Sequence, residues 1–98
     1  MIYDTKVRHA IYVKALTLFD EEVYKRKKET WFYNCRGICG CLGDAAFALG
    51  YYKYDPEYPE IEKHNPNNDY IYWFPRQTQE DIDVRRKILI DAIKETEL

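Results

Sequence analysis

The residues best suited to chemistry form an aromatic stretch that ends in an arginine and precedes two further arginines. The stretch reads Tyr70-Ile71-Tyr72-Trp73-Phe74-Pro75-Arg76, and Arg85 and Arg86 follow on a predicted helix. Aromatic rings stack on planar groups such as nucleobases, and arginine binds phosphates or carboxylates through paired hydrogen bonds. The N-terminus of a helix adds oriented N–H groups for an anion. The pattern predicts a site for an anionic, nucleotide-like small molecule, whose residues are Tyr72, Trp73, Phe74, Arg76, Arg85 and Arg86.

A purely structural interpretation of the same residues is equally simple. Trp73 and Phe74 then anchor their loop in the core, while Arg85 and Arg86 pair with acidic side chains on the surface. Tyrosine, tryptophan and arginine are also the residues that dominate binding at protein–protein interfaces. A protein-interaction surface rich in tyrosine is therefore the second functional hypothesis.

Three cysteines lie close together in the sequence and raise the question of a metal site. Cys35, Cys39 and Cys41 would need His64 as a fourth ligand. Structural zinc sites normally use a second pair of ligands further along the chain, and this sequence has none. Residues two positions apart on a helix, such as Cys39 and Cys41, also point in different directions. The pattern favours a role in the core or at a helix start, and it predicts no metal.

No arrangement of residues is typical of an active site. A cysteine near a helix N-terminus, as Cys35 is predicted to be, can be reactive, but no histidine base lies at a diagnostic spacing. Gly37, Gly40 and Gly43 do not follow a strand or precede the Lys-Ser/Thr of a phosphate-binding loop. The paired acids are expected to face water, and they are Asp55/Glu57, Glu60/Glu62 and Asp81/Asp83. We therefore predict neither an enzyme nor a bound cofactor.

Hydrophobic spacing predicts a mainly α-helical fold with three helices. The first runs from about Asp4 to Lys28 with Asp4 or Thr5 as N-cap, and its apolar stripe is Val7, Ile11, Ala15, Leu18, Phe19 and Val23. The second is rich in small side chains, ends at Gly50 and is predicted to be central; its stripe is Ile38, Cys41, Leu42, Ala45, Ala46 and Leu49. The third starts at Thr78, and its apolar face is Ile82, Val84, Ile88, Leu89, Ala92 and Ile93.

Residues 51–75 form a predicted aromatic, proline-rich excursion between the second and third helices. The segment holds all four prolines and half of the sixteen aromatic side chains. Asn65-Pro66-Asn67-Asn68 is typical of a turn, and residues 69–74 have the composition of a strand that Pro75 ends. We predict at most one or two short strands here. With 98 residues and no internal repeat or flexible linker, the chain is expected to be one domain, residues 1–98.

Charge and composition exclude several classes of protein. The net charge of −2 argues against a dedicated nucleic-acid binder, and the basic run Lys25-Arg26-Lys27-Lys28 is expected to be a solvated helix end rather than a phosphate contact. No apolar run approaches the ~20 residues that span a membrane, and the first residues lack the features of a secretory signal. A cytoplasmic location is therefore expected. Aromatic residues make up 16% of the chain, more than a small core needs, which predicts a homo-oligomer.

Short motifs in residues 34–93 resemble a pattern found in small phage and prophage proteins. In that pattern a Gly-x-Cys helix, here Gly37-Ile38-Cys39, precedes a Phe-Pro-Glu-Leu-like segment, here Tyr58-Pro59-Glu60-Ile61. Asn65-Pro66, Tyr72-Trp73-Phe74-Pro75 and the Arg86-x-x-Leu89 helix follow. The chain departs from the pattern in having Tyr58 in place of Phe and Ile61 in place of Leu.

The resemblance implies a context rather than a reaction. Small phage proteins of this size often counter host defence, and some sequester nucleotide-derived immune signals. The resemblance therefore implies a non-enzymatic accessory protein of the host cytoplasm that captures such a signal stoichiometrically. The alternative is an interaction module that inhibits a host protein through its tyrosine-rich surface.

Overall fold

Four helices make up most of the described chain. The computed structural model describes residues 2–27, 38–51, 56–65 and 79–97. In chain order its helices are α1 (Thr5–Lys27), α2 (Ile38–Ala48), α3 (Pro59–His64) and α4 (Gln79–Thr96). The prediction of a mainly helical fold is confirmed. The described residues form four helices rather than three, because α3 lies inside the predicted excursion.

The start and the buried stripe of α1 follow from its sequence. Asp4 is the N-cap, and its Oδ1 accepts a hydrogen bond of 3.0 Å from the Val7 backbone N–H, which has no partner within the helix. The predicted stripe is largely confirmed, since Ile11, Ala15, Phe19 and Val23 are buried while Val7 and Leu18 are partly buried. Spacings of three and four residues place these side chains on one face.

The end of α2 is built around Gly50, as predicted. Its φ of +87° is a left-handed conformation that glycine adopts without cost. The Tyr51 N–H donates to the Ala46 carbonyl and the Gly50 N–H donates to the Phe47 carbonyl, which is a Schellman motif. Leu49, predicted to lie on the buried stripe, is exposed because it follows the last helical residue, where the helical spacing no longer applies.

Helices α1 and α4 form the central pair, which corrects the prediction that the second helix would be central. Helix α1 contacts both α2 and α4, and α3 packs against α4. Helices α1 and α4 run antiparallel, since His9 lies beside Thr96 at one end and Asp20 beside Arg86 further along. The buried apolar core is Ile11, Tyr12, Ala15, Phe19, Val23, Ile38, Cys41, Leu42, Ala45, Ala46, Ile61, Ile82, Ile88, Leu89 and Ala92.

Helix α3 begins at a proline, which explains its position in a proline-rich segment. Pro59 occupies the first turn, where its missing N–H costs nothing, and Glu60 and Glu62 favour the same turn through their charge. Only Ile61 is buried among its six residues. A single apolar position shows no periodicity, so the sequence pattern did not predict this helix.

Extended structure in the described ranges is limited to one isolated parallel bridge, between Ile2 and Glu57. This bridge brings the start of the chain beside the segment that leads into α3. The predicted strand at 69–74 lies outside the described residues. Among the helices that the structure describes, none combines the length and apolar character needed to cross a membrane.

Candidate functional site

Two of the six predicted ligand-binding residues lie in the described part of the chain, and both are on α4. They are Arg85 and Arg86. The other four, Tyr72, Trp73, Phe74 and Arg76, lie outside the described residues. Consecutive residues of a helix point about 100° apart, so Arg85 and Arg86 face different surroundings.

Arg86 forms a two-pronged ion pair with α1. Its Nε and Nη2 donate to Oδ1 and Oδ2 of Asp20 at 2.9 and 3.1 Å. The hydrogen bond to Asp20 and the charge of that carboxylate raise the pKa of Arg86. Because 45% of the Arg86 side chain and 44% of the Asp20 side chain remain exposed, solvent screens the pair. This is the pairing with a surface acid that the structural interpretation expected.

Arg85 is a buried side chain of the core. It is 1% exposed, and its Nη1 donates to the Asp81 carbonyl oxygen, one turn earlier on α4, at 3.2 Å. A guanidinium in this position supports the packing of α4 and does not face solvent beside Arg86. The two arginines therefore do not converge on a shared surface.

The most closely connected polar cluster joins α1 to α3 and was not predicted. Arg8 donates from Nε and Nη2 to the two oxygens of Glu60, at 2.8 and 2.9 Å. The Tyr12 hydroxyl donates to Glu60 Oε1 at 2.8 Å, and Arg8 Nη1 donates to the Tyr3 carbonyl at 2.7 Å. The Arg8 and Glu60 side chains are only 12% and 14% exposed. We call these four residues the α1–α3 clasp.

Charge in the clasp is balanced within the protein. Burial raises the pKa of Glu60, but hydrogen bonds from Arg8 and Tyr12 and the Arg8 charge outweigh it, so the pKa is lowered. Burial, followed by the hydrogen bond to Glu60, raises the pKa of Tyr12. The hydrogen bond to Glu60 raises the pKa of Arg8. Each shift favours the form present near pH 7, so the clasp holds a charged Arg8–Glu60 pair and a neutral Tyr12.

Tyrosine rings pack around the clasp. Tyr12 and Tyr58 have ring centroids 5.8 Å apart, and Tyr3 and Tyr51 have theirs 5.5 Å apart, both in tilted arrangements. Burial raises the pKa of Tyr58 to about 12, with smaller contributions from Tyr3 and Cys39. These four tyrosines are engaged in the fold, so they do not form an exposed tyrosine surface.

Sequence reasoning missed the clasp because its partners are far apart along the chain. Glu60 was predicted to face water as one of a Glu60/Glu62 pair, and this is wrong for Glu60, whose partner Arg8 lies 52 residues away. Glu62 is exposed as predicted. Once α3 is known to be a helix, the spacing distinguishes Glu60 from Glu62, because residues two positions apart on a helix point to different sides.

A second cluster of charged residues joins α3 to α4. Lys63 Nζ lies 2.7 Å from Glu95 Oε1, and Lys87 Nζ lies 2.7 Å from Asp91 Oδ2. His64 lies between the two carboxylates, with Nε2 3.1 Å from Glu95 Oε1 and Nδ1 3.9 Å from Asp91 Oδ2. The hydrogen bond from Lys87 lowers the pKa of Asp91, and the hydrogen bond from Lys63 lowers that of Glu95.

The end of α2 exposes consecutive apolar residues. Phe47 is 77% exposed, Leu49 is 41% exposed, and Ala48 between them is exposed as well. We call Phe47, Ala48 and Leu49 the α2 patch. Runs of exposed apolar residues are avoided on protein surfaces unless they serve binding. The patch is the clearest sign of a binding surface in the described chain.

The cysteines do not form a cluster where the structure describes them. Cys39 is exposed and Cys41 is buried. Cys35 lies outside the described residues. Within the described ranges, no group of three or more His, Cys, Asp or Glu side chains is arranged to hold a metal ion.

Comparison with known proteins does not assign the chain to a family. No protein-family model matches the chain, and neither a curated protein nor a solved structure matches it significantly. Hypotheses about its function therefore depend on the chemistry of its own residues.

Proposed function

We propose that the protein acts by stoichiometric binding, without catalysis, and that it binds another protein through the α2 patch. The observation that carries the proposal is the exposure of Phe47, at 77% the most exposed large apolar side chain described. Burying a phenylalanine side chain stabilises a complex by about 1.5–3 kcal/mol. At 77% exposure Phe47 contributes little of this to the fold, but it can contribute most of it to an interface.

The α2 patch also indicates the chemistry of the partner. Its three residues and the following Gly50 carry no charge, and α2 has no basic residue in its last turn. The complementary surface is therefore apolar, and steering by charge is not expected to dominate recognition. In the context implied by the phage-like motifs, such a partner is a host protein. The tyrosine-rich surface predicted from sequence draws mostly on residues outside the described ranges and stays a prediction.

The α2 patch can be tested with a matched pair of variants. Val13 on α1 is 43% exposed and is not part of the patch, so Val13→Ser is the control for Phe47→Ser. In quantitative affinity purification from the natural host cell, wild type and Val13→Ser should retain the same partner in stoichiometric amount. Phe47→Ser should lose it without a lower melting temperature. Equal retention by all three proteins would contradict the proposal.

Capture of an anionic, nucleotide-derived small molecule is the second candidate function. The observation that favours it is that Arg86, half exposed, already holds a carboxylate with two parallel N–H donors. This is the geometry in which arginine binds phosphate. In this proposal Asp20 keeps the guanidinium oriented until the ligand arrives, and the remaining contacts come from Tyr72, Trp73, Phe74 and Arg76.

Two substitutions with opposite expected effects on ligand binding test the capture hypothesis. If a phosphate competes with Asp20 for Arg86, then Arg86→Gln should abolish ligand binding and Asp20→Asn should strengthen it. The measurement is a thermal-shift titration with linear and cyclic nucleotides and ADP-ribose. If the Arg86–Asp20 pair serves only the fold, both variants should lose a similar small amount of stability. No compound should then shift the melting temperature of wild type or of either variant. Retained binding by Arg86→Gln would also exclude this site.

A further inference from the structure

The donors and the acceptor of the α1–α3 clasp come from different parts of the chain. Arg8 and Tyr12 lie one turn apart on α1, and two N–H groups and one hydroxyl donate to the Glu60 carboxylate. The third nitrogen of Arg8, Nη1, donates to the Tyr3 carbonyl at 2.7 Å. Tyr12 is completely buried in the core. The N-terminal segment and the core therefore orient these donors, while α3 supplies only the carboxylate.

Helix α3 is attached weakly outside the clasp. Ile61 is its one buried apolar side chain, and the Lys63–Glu95 ion pair is screened because its side chains are 67% and 32% exposed. Tyr58 and Asn65, which flank the helix, each hold a polar side-chain atom away from water with no hydrogen-bond partner in the described chain. Burial of such an atom is unfavourable. A helix of six residues also has little stability of its own.

We propose that Arg8 and Tyr12 form a carboxylate-binding site on α1, which the protein fills with its own Glu60 until an acidic side chain of another protein displaces α3. Two parallel N–H donors are the geometry in which arginine binds a carboxylate. Exchange of one carboxylate for another leaves the Arg8 charge compensated in both states, which avoids the large cost of an unpaired shielded charge. Release of α3 also returns the unpartnered polar atoms at its two ends to water.

The residues of α3 indicate the chemistry of the competing segment. Glu60 enters the clasp, and the next residue, Ile61, is buried in the core at 2% exposure. The surface beneath α3 therefore binds a carboxylate and, beside it, an apolar side chain. A protein segment in which an acidic residue precedes an aliphatic one matches this surface. The site shares no residue with the α2 patch, so the two proposals are independent of each other.

Acetate tests the donors, because it has the same heavy atoms that Glu60→Ala removes. Thermal unfolding is compared in sodium acetate and in sodium chloride of equal ionic strength at neutral pH, with Glu62→Ala as the matched control. Acetate at several times its Kd should raise the melting temperature of Glu60→Ala by about 4–8 °C more than that of the control. If Glu60→Ala is unfolded in chloride, recovery of its helical circular dichroism signal in acetate is the readout.

The double variant Arg8→Gln/Glu60→Ala should lose this specific effect of acetate. Equal effects of acetate on Glu60→Ala and Glu62→Ala would overturn the site, and so would an effect that survives Arg8→Gln.

A peptide identifies the kind of ligand. A capped peptide of residues 56–65 should stabilise Glu60→Ala at a concentration at least about tenfold lower than acetate, because it adds the apolar contact of Ile61. The same peptide with Glu60→Gln should have no effect. Equal potency of peptide and acetate would mean that the ligand is a small free carboxylate instead of a protein segment.

Hydrogen exchange in wild type tests displacement of α3. After correction for intrinsic rates, the α3 amides should exchange by local opening at least about tenfold faster than the core amides of α1 and α4. If the α3 amides are as well protected as those core amides, α3 leaves the clasp only on global unfolding and the proposal is wrong.

Discussion

At the scale of single residues, the side chain with the most demanding role is Glu60. It accepts three hydrogen bonds, two from Arg8 and one from Tyr12, in a site that is largely closed to water. A shielded ion pair is costly to disrupt from one side, because the remaining charge is left without a partner. Its neighbour Glu62, two positions along the same short helix, is exposed.

We expect Glu60→Gln to lower the free energy of unfolding by about 2–3 kcal/mol, since it leaves the Arg8 charge uncompensated. Urea denaturation followed by circular dichroism measures this change. Glu62→Gln is the matched control and should stay within about 0.5 kcal/mol of wild type. Equal effects of the two substitutions would show that the clasp adds nothing to stability.

The lowered pKa of Glu60 predicts part of the loss of stability that the protein shows in acid. The pKa of Glu60 is held below its ordinary value of 4.5 in the folded chain. A carboxyl group of this kind stabilises the fold above its unfolded pKa, and the contribution is lost as the pH falls through the folded pKa. Below about pH 4.5, the unfolding free energy of wild type should therefore fall more steeply than that of Glu60→Gln. If the free energies of unfolding of wild type and Glu60→Gln fell in parallel as the pH is lowered, Glu60 would not be a cause of acid unfolding.

At the scale of elements, α4 combines a buried apolar contact with an exposed ion pair. Leu89 is completely buried against the core, while Arg86, three residues earlier, is half exposed in its pair with Asp20. The apolar side contributes most of the free energy that holds α4 to α1, because burial of apolar surface is unscreened and exposed ion pairs are weak.

We therefore expect Leu89→Ala to destabilise the fold by about 2–5 kcal/mol through the cavity that it leaves. Arg86→Ala should cost less than about 1 kcal/mol, the usual limit for an exposed ion pair. Chemical denaturation of both variants gives the comparison. If Arg86→Ala lowered the free energy of unfolding as much as Leu89→Ala does, the ion pair with Asp20 would be the contact that fixes the position of α4.

At the scale of the whole molecule, the chain combines a small core with apolar surface outside it. The described core draws on all four helices, yet Phe47, Leu49, Val13 and Ile2 remain exposed. Self-association, predicted from the aromatic content, stays a prediction. The exposure of these four side chains leaves apolar area available to a second copy of the chain or to another protein.

We expect sedimentation velocity at micromolar concentration to give a mass above the 11.9 kDa of one chain. If the α2 patch mediates the contact, Phe47→Ser should shift the distribution toward monomer, because a buried serine replaces no part of the lost apolar contact. Val13→Ser should leave it unchanged. A single monomeric species at all concentrations would contradict the prediction of a homo-oligomer.

Local sequence signals predicted the elements that depend on neighbours along the chain. The N-cap at Asp4, the stripe from Ile11 to Val23 and the stop at Gly50 were all correct, because each depends on residues within one or two turns. The mainly helical class followed from the same periodicity. The predicted roles of Tyr72, Trp73, Phe74 and Arg76 stay predictions, since these residues lie outside the described ranges.

Tertiary structure alone decided which polar residues meet. Residue types and spacing did not distinguish the buried Arg85 from the exposed Arg86, because burial depends on how α4 packs in the folded protein. The clasp joins residues up to 52 positions apart, and Lys63 and His64 of α3 contact Glu95 of α4. Side-chain charge is a property of the sequence, whereas its partner and its exposure to water are set by how the helices pack. Thus the sequence by itself determined α1, α2 and α4, the start of α1 and the end of α2, whereas α3 and the partners of the polar residues came only from the tertiary structure.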